Sequence, residues 1–231
     1  MRVALVTVGD ELLSGDTVNT NAAWLGERLA DRGVTVERTT VVPDRVGDIA
    51  RVVNEYRADY DAVLVTGGLG PTHDDVTMDG VAAAFGRELE RSEAVLEWLE
   101  SEGGYTRDDL TEGTADIPAG ADPLHNEAGV APGCVLDSVY VLPGVPDEMK
   151  AMFEGIADRF EGTRRYTETV AVDEPESALL DRLRDLQEEF GVKVGSYPGE
   201  TVRIKIEGTD ESVVADAAAW LGERVESPDE N

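Results

Sequence analysis

Lysine, cysteine and histidine are all scarce in this chain of 231 residues. Of its 20 basic residues only three are lysines (Lys150, Lys193 and Lys205), against 49 Asp and Glu, which leaves a formal net charge of -29. No stretch supplies the basic face that nucleic-acid binding requires, so a nucleic-acid partner is not expected. The acidity, with so little lysine, instead has the character of a protein adapted to high salt, of the haloarchaeal kind, where the Debye length shrinks to roughly 3 Å at 1 M. The single cysteine, Cys134, excludes an intramolecular disulfide and a multi-cysteine metal site. Followed by Val135 and Leu136, it reads as a buried structural thiol. The two histidines, His73 and His125, lack metal-ligand spacing. No apolar run approaches the length of a membrane span. The chain enters strand-like sequence at once, without a signal peptide, so a cytoplasmic protein with no membrane partner is expected.

What is present is enough to build a core: 41% of residues are hydrophobic. The first half alternates strand and helix patterns. Residues 3–8, 34–42 and 62–65 read as strands. A polar loop is expected over 9–21, followed by a helix with Ala22, Leu25 and Leu29 on one face and Gly33 as its stop. Pro43 and Asp44 open a second helix, with Val46, Ile49, Val53 and Tyr56 as its apolar face. Such alternation implies parallel strands covered by helices on both faces, with ligands at the carboxyl ends of the strands. The loops after Val8, Val42 and Val65 should therefore share one edge.

Two helices divided near Gly86 are expected over 75–102, and a short one near 107–115. A hairpin turns at Asp137-Ser138, and Pro143-Gly144-Val145-Pro146 breaks it to start a helix over 147–160. After a boundary at 161–165 the order is β-α-β-β-α: a strand at 167–172, a helix at 176–190 with a leucine stripe (Leu179, Leu180, Leu183, Leu186) as core, a hairpin of 192–195 with 202–207, and a helix at 210–225. The fold expected is a three-layer α/β/α domain with a mostly parallel sheet over 1–163, a small α+β domain over 164–226, and a disordered tail at 227–231.

The most informative run is Thr66-Gly67-Gly68-Leu69-Gly70-Pro71-Thr72-His73-Asp74-Asp75. Three glycines in four positions let the backbone turn sharply and approach a ligand closely. Thr72 and Asp74 have the chemistry of N-caps for a helix beginning near Asp75. Strand, glycine turn and helix N-terminus together make an anion cradle. Carboxylates beside a phosphate repel it unless a divalent cation stands between them. The run therefore predicts a phosphate-bearing ligand handled with a metal, and it is not the dinucleotide fingerprint, because Pro71 lies inside the turn.

Three separated motifs occur in order: Gly9-Asp10-Glu11-Leu12-Leu13-Ser14-Gly15 with Asn19-Thr20-Asn21, the glycine run, and Pro143-Gly144-Val145-Pro146-Asp147-Glu148-Met149-Lys150. Together they resemble the N-terminal region of the competence/damage-inducible protein A (CinA) family, which is similar to the molybdopterin-binding domain of MoaB, MogA and MoeA. The stretch 165–225 resembles the small middle domain of CinA proteins, and the activity of the nicotinamide-nucleotide deamidase domain found in many CinA proteins is not expected here. The resemblance implies that Gly67, Gly68, Gly70 and Thr72 line a phosphate or pyrophosphate pocket, that Ser14 touches the ligand, and that Pro143 and Gly144 form the opposite wall. It implies metal-assisted phosphoryl chemistry at Asp44 and Asp75, and a homo-oligomer. Where adenylyltransferases carry Pro-Gly-Asn-Pro, this chain has Val145, which removes a polar group from the pocket.

The activity this implies is metal-dependent hydrolysis of an ADP-ribose-like pyrophosphate. Mg²⁺, Mn²⁺ or Co²⁺ would be held by some of Asp10, Glu11, Asp44 and Asp75. The alternatives are a non-catalytic module binding molybdopterin or a nucleotide, and a molybdopterin adenylyltransferase. Asn21 and Lys150 are further candidates for contact with the ligand. Several residues also have simpler readings: Asp44 and Asp75 as helix caps, Asp10 and Glu11 as solvated charge, Asn19 and Asn21 as caps, and Lys150 as a helix-surface charge.

Overall fold

The computed structural model describes residues 1–228, so the expectation of a disordered tail falls, from 229 on, outside them. The chain divides into two compact units, Met1–Gly162 and the remainder from Thr163.

The first unit runs β1 (Arg2–Val8), α1 (Asp10–Ser14), α2 (Thr20–Asp31), β2 (Thr35–Val42), α3 (Val46–Asp59), β3 (Ala62–Thr66), α4 (Thr77–Phe85), β4 (Leu89–Arg91), α5 (Glu93–Ser101), β5 (Asp116–Pro118), β6 (Asp122–Leu124), β7 (Gly133–Leu136), β8 (Val139–Leu142) and α6 (Pro146–Ile156). Its main sheet has the order β2-β1-β3-β8-β7-β6. The first four strands are parallel, while β7 and β6 add antiparallel partners at the far side. Because the sheet is covered on both faces, its central strands are near-continuous apolar runs. In β1, Val3 and Leu5 join Leu25 and Leu29 of α2 and Phe153 of α6 in one core, whereas Ala4, Val6 and Val8 face Ile49 and Val53 of α3 and Val81 of α4 in another. That alternation is the three-layer architecture, with a mostly parallel sheet between helices. Cys134 lies in the second core, and burial pushes its thiol up to about 12.

The second unit runs β9 (Tyr166–Val172), α7 (Glu176–Phe190), β10 (Lys193–Tyr197), β11 (Val202–Gly208) and α8 (Glu211–Gly222). Its antiparallel sheet has the order β10-β11-β9. In β11, Val202, Ile204 and Ile206 alternate inward and pack with Leu179, Leu186, Val214 and Leu221 of the two helices. Glu174 and Arg182 form a paired contact (Nη1 to Oε1 2.9 Å) that also ties in the Glu226 backbone N–H at 2.8 Å.

Several local expectations are corrected. The polar loop over 9–21 contains α1, which buries nothing and so carries no periodicity. Asp10 and Glu11 in its first turn complement the helix dipole, and Gly15 at φ 81 ends it in the left-handed region. The helix expected near Asp75 begins at Thr77 with Val76 as cap, so neither Thr72 nor Asp74 caps it. In α3 the cap is Arg45, Val46 is exposed, and Val52 takes its place in the buried stripe. Leu180 of α7 is 62% exposed and is not core. The expected helix near 107–115 is only a three-residue 3-10 turn at Arg107–Asp109. Strand β2 is an edge in which only Val42 is buried. The three-residue strands β4, β5 and β6 are too short for alternation to reveal them.

Candidate functional site

The parallel strands β2, β1, β3 and β8 all end on one edge of the sheet, so the loops after Val42, Val8, Thr66 and Leu142 come together there. Their joining is direct. The Gly9 N–H donates to the Val42 carbonyl at 3.1 Å, and the Gly67 N–H to the Leu142 carbonyl at 3.2 Å. The Asp10 N–H donates to Asp44 Oδ2 at 2.8 Å. Asn21 Nδ2 reaches across from α2 to the Gly144 carbonyl at 2.7 Å.

Glycine is required where these loops meet. Gly67 has φ 100, and a Cβ there would lie 2.3 Å from the Val8 carbonyl oxygen. Gly68 has φ 62, and a Cβ there would lie 2.4 Å from Thr77 Oγ1 and 3.5 Å from Asp44 Oδ1. At Gly144 a Cβ would stand 3.1 Å from the Gly67 Cα. The amides of Gly68, Leu69 and Gly70 find no acceptor among the described residues. Thr77 Oγ1 and Asn21 Oδ1 are buried beside this turn without a hydrogen-bond partner. Buried polar atoms are ordinarily satisfied, so these orphans mark a place where a ligand or water completes the bonding.

Two cavities flank the turn and share Gly68, Asp75 and Gly144 in their walls. The smaller, about 230 Å³, takes Glu11, Asn21, Asp44, Gly67 and Asp74. The larger, about 710 Å³, takes Gly70, Thr72, Pro143 and Val145 together with Met78, Tyr105, Leu110 and Val130. Asp44 is the electrostatic centre of the smaller one. Its pKa is raised, first by burial and then by the neighbouring Asp10, Glu11 and Asp74, against the opposing effect of the Asp10 N–H.

The residues singled out from sequence fall into two groups. Gly67, Gly68, Gly70, Thr72, Asp75, Asp44, Glu11, Asn21, Pro143 and Gly144 line one or both cavities. Ser14 does not: its hydroxyl lies 2.7 Å from Asp16 Oδ2 and 3.2 Å from the Glu11 carbonyl. Asp10 contributes its backbone N–H to Asp44 while its side chain lines neither cavity. Lys150 pairs with Asp147 at 3.6 Å on the outer face of α6 and also lines neither. Asp75 is partly occupied, since its Oδ2 accepts from both the N–H and the hydroxyl of Thr72. That bond closes a turn upstream of α4, which is why the helix starts later than the cap chemistry suggested. Asn19 caps α2 by accepting from the Ala22 N–H at 3.1 Å, whereas Asn21 bonds the Gly144 carbonyl and lines the smaller cavity.

Sequence reasoning missed Thr77, Tyr105 and Glu148. Thr77 sits in the first turn of a helix, where a threonine is unremarkable. Tyr105 lines the larger cavity from a segment with no motif of its own, and Glu148 lines it from within the Pro143–Lys150 motif without having been singled out there.

Among the described residues no three His, Cys, Asp or Glu side chains converge as a ready metal-binding group. The smaller cavity nonetheless offers hard oxygen donors only. Such a set fits a cation that takes one or two carboxylates and completes its shell with water and ligand phosphates. Among the described residues no helix is long and apolar enough to cross a membrane.

Known proteins share this organisation. A family described as "Probable molybdopterin binding domain" matches residues 4–161, and one described as "FAD synthase, middle domain" matches residues 164–228. A protein of Archaeoglobus fulgidus is 39% identical over 225 residues, 96% of this chain and 97% of that one. A CinA-like protein of Frankia casuarinae is 46% identical over 165 residues, which are 66% of this chain and 38% of its own length. The crystal structure of CinA from Thermoplasma acidophilum is 37% identical with a TM-score of 0.64, covering 69% of this chain and 97% of that one.

Proposed function

Because the chain belongs to the probable molybdopterin-binding-domain family, with CinA-like relatives, we propose that it hydrolyses the pyrophosphate of a nucleoside diphosphate-linked compound such as ADP-ribose. The observation that carries this reading is the glycine turn between two cavities of different character. Free amides at Gly68, Leu69 and Gly70 suit a pyrophosphate, the larger and partly apolar cavity suits a nucleoside, and the smaller acidic one suits the reacting water.

The roles follow from chemistry. Preorganised amides hold the phosphate oxygens on which charge develops. Asp44, with its pKa raised, is the group suited to accept the proton of the attacking water. Asp75, fixed by Thr72 through one oxygen, keeps the other for the site. Glu11 and Asp75 would hold a divalent cation, Mg²⁺, Mn²⁺ or Co²⁺, which supplies charge neutralisation and a more acidic bound water, leaving the free oxygen of Asp44 for the proton. The products of ADP-ribose and water would be AMP and ribose 5-phosphate.

One observation favours a second reading, a non-catalytic module for molybdopterin or a nucleotide: the carboxylates are not gathered into a ready metal group among the described residues. Adenylyl transfer is less favoured, because Val145 brings no polar group to the wall it occupies. Chromatography of products from ADP-ribose, FAD and NAD⁺, in multimolar KCl with each cation, separates these readings. AMP formed by the wild type, and reduced on the order of 100-fold or more in a folded Asp75→Asn variant, supports hydrolysis at the turn. Ligand binding without AMP from any substrate would move the conclusion to the binding module.

A further inference from the structure

The larger cavity carries a carboxylate whose position is fixed with unusual care. Glu148, in the first turn of α6, lines it. Its Oε2 accepts from Asn126 Nδ2 at 2.7 Å, and Asn126 is 2% exposed. The same amide nitrogen donates to the Ala131 carbonyl at 3.0 Å, while Asn126 Oδ1 accepts from the Ala128 N–H at 3.2 Å. Turning the amide away would break all three bonds, so Asn126 presents its donor to Glu148 in one orientation. The backbone of Gly129 closes the other side, where a Cβ would lie 2.4 Å from the Glu148 carboxyl carbon. Glu148 Oε1 accepts no hydrogen bond among the described residues. No lysine, arginine or histidine lines the cavity, so no cation pairs with this carboxylate there.

A fixed acceptor without a cation calls for a neutral hydrogen-bond donor and repels an anion. Its place in the cavity suggests which donor. Glu148 lines the same cavity as Gly68, Gly70 and Gly144, and Gly144 packs on Gly67. With the glycine amides on the pyrophosphate, the hydroxyls of the attached ribose are the neutral donors that follow it in the ligand. We propose that Glu148 determines specificity by accepting a hydrogen bond from the ribose hydroxyls of the nucleoside half of the ligand, so that the site takes an unphosphorylated ribose and rejects a 2′-phosphorylated one. Asn126 and Gly129 are its positioning residues. The inference rests on the reading of the site as one for nucleoside pyrophosphates.

The test is calorimetric titration, in multimolar KCl with Mg²⁺ at low temperature, with ADP-ribose and with the same molecule carrying a 2′-phosphate on its adenosine. The proteins are the wild type, Glu148→Gln, and Asp147→Asn, which makes the same charge change on the exposed neighbour in α6. The wild type binds ADP-ribose at least about tenfold more tightly than the 2′-phosphate, a like-charge effect worth at least one factor of ten. Glu148→Gln brings the two ligands within roughly threefold, and Asp147→Asn leaves the ratio unchanged. Equal binding by the wild type, an unchanged ratio in Glu148→Gln, or the same loss in Asp147→Asn would overturn the inference alone. Failure of the wild type to bind either ligand would overturn the pyrophosphate reading and this inference with it.

Discussion

Replacing Gly67 by alanine probes the junction on which the whole site depends. The residue sits at φ 100, where an L side chain is strained, and its new Cβ would lie 2.3 Å from the Val8 carbonyl oxygen and 3.6 Å from the Val8 nitrogen. Val8 cannot easily give way, because it is 3% exposed, pairs with Val42, and is followed by the Gly9 N–H bond to the Val42 carbonyl. Strain at such a φ costs about 1–3 kcal/mol and overpacking a similar amount, so the change should cost about 2–6 kcal/mol. For a domain of this size that lowers Tm by roughly 5–20 °C. Gly26→Ala in α2 is the matched control, since its Cβ would meet nothing within 4 Å. Alanine there is favoured by about 1 kcal/mol. Thermal melts followed by circular dichroism in multimolar KCl report both. A Gly67→Ala protein that melts within about a degree of the wild type would refute the close approach of the glycine turn to β1.

Other consequences can be checked separately. Asp44→Asn should keep the Asp10 N–H bond through its carbonyl oxygen and lose turnover. Because the folded state raises the Asp44 pKa, its ionisation opposes folding above the unfolded value, so the variant should melt at the same or a higher temperature at pH 7. That difference should shrink as pH falls through the raised value; a markedly less stable variant would contradict it. Glu174 is held down to about 2, first by its hydrogen bonds from Arg182 and then by the Glu226 N–H, so its stabilisation is present above about 4.5 and is lost as pH falls towards about 2. Melts of Glu174→Gln against wild type should therefore differ at pH 7 and converge through that acid window. With its thiol buried and pushed up to about 12, Cys134 should resist a thiol reagent until the protein is denatured; rapid labelling of the native protein would place it elsewhere.

Legibility from sequence followed physical type. Ala62–Thr66 is buried at every position, and a strand buried on both faces is an unbroken apolar run that anyone can read. Alternation with helices then made the strands parallel and placed their carboxyl ends together, which located Gly67, Asp44 and Asn21 before any contact was known. Short-range competition was harder to read. Asp75 looked like a cap, but its carboxylate turns back to Thr72 instead. Ser14 was a candidate through a motif shared with relatives and Lys150 through the scarcity of lysine, yet here one bonds within its own loop and the other pairs along its own helix. The larger cavity was invisible because parts of its wall come from the short strands β4 and β5 and from the loop over 110–114, none of which shows a period. The Asn126–Glu148 bond joins residues 22 positions apart, and only the folded backbone brings them together.

Hydrolysis at phosphorus is tested most directly by incubating the protein with ADP-ribose in ¹⁸O-labelled water, with multimolar KCl and Mg²⁺, and weighing the products by mass spectrometry. The account predicts AMP and ribose 5-phosphate in equal amounts, with one labelled oxygen in the phosphate of one product and none in the other. Intact ADP-ribose, or products without label in either phosphate, would contradict it.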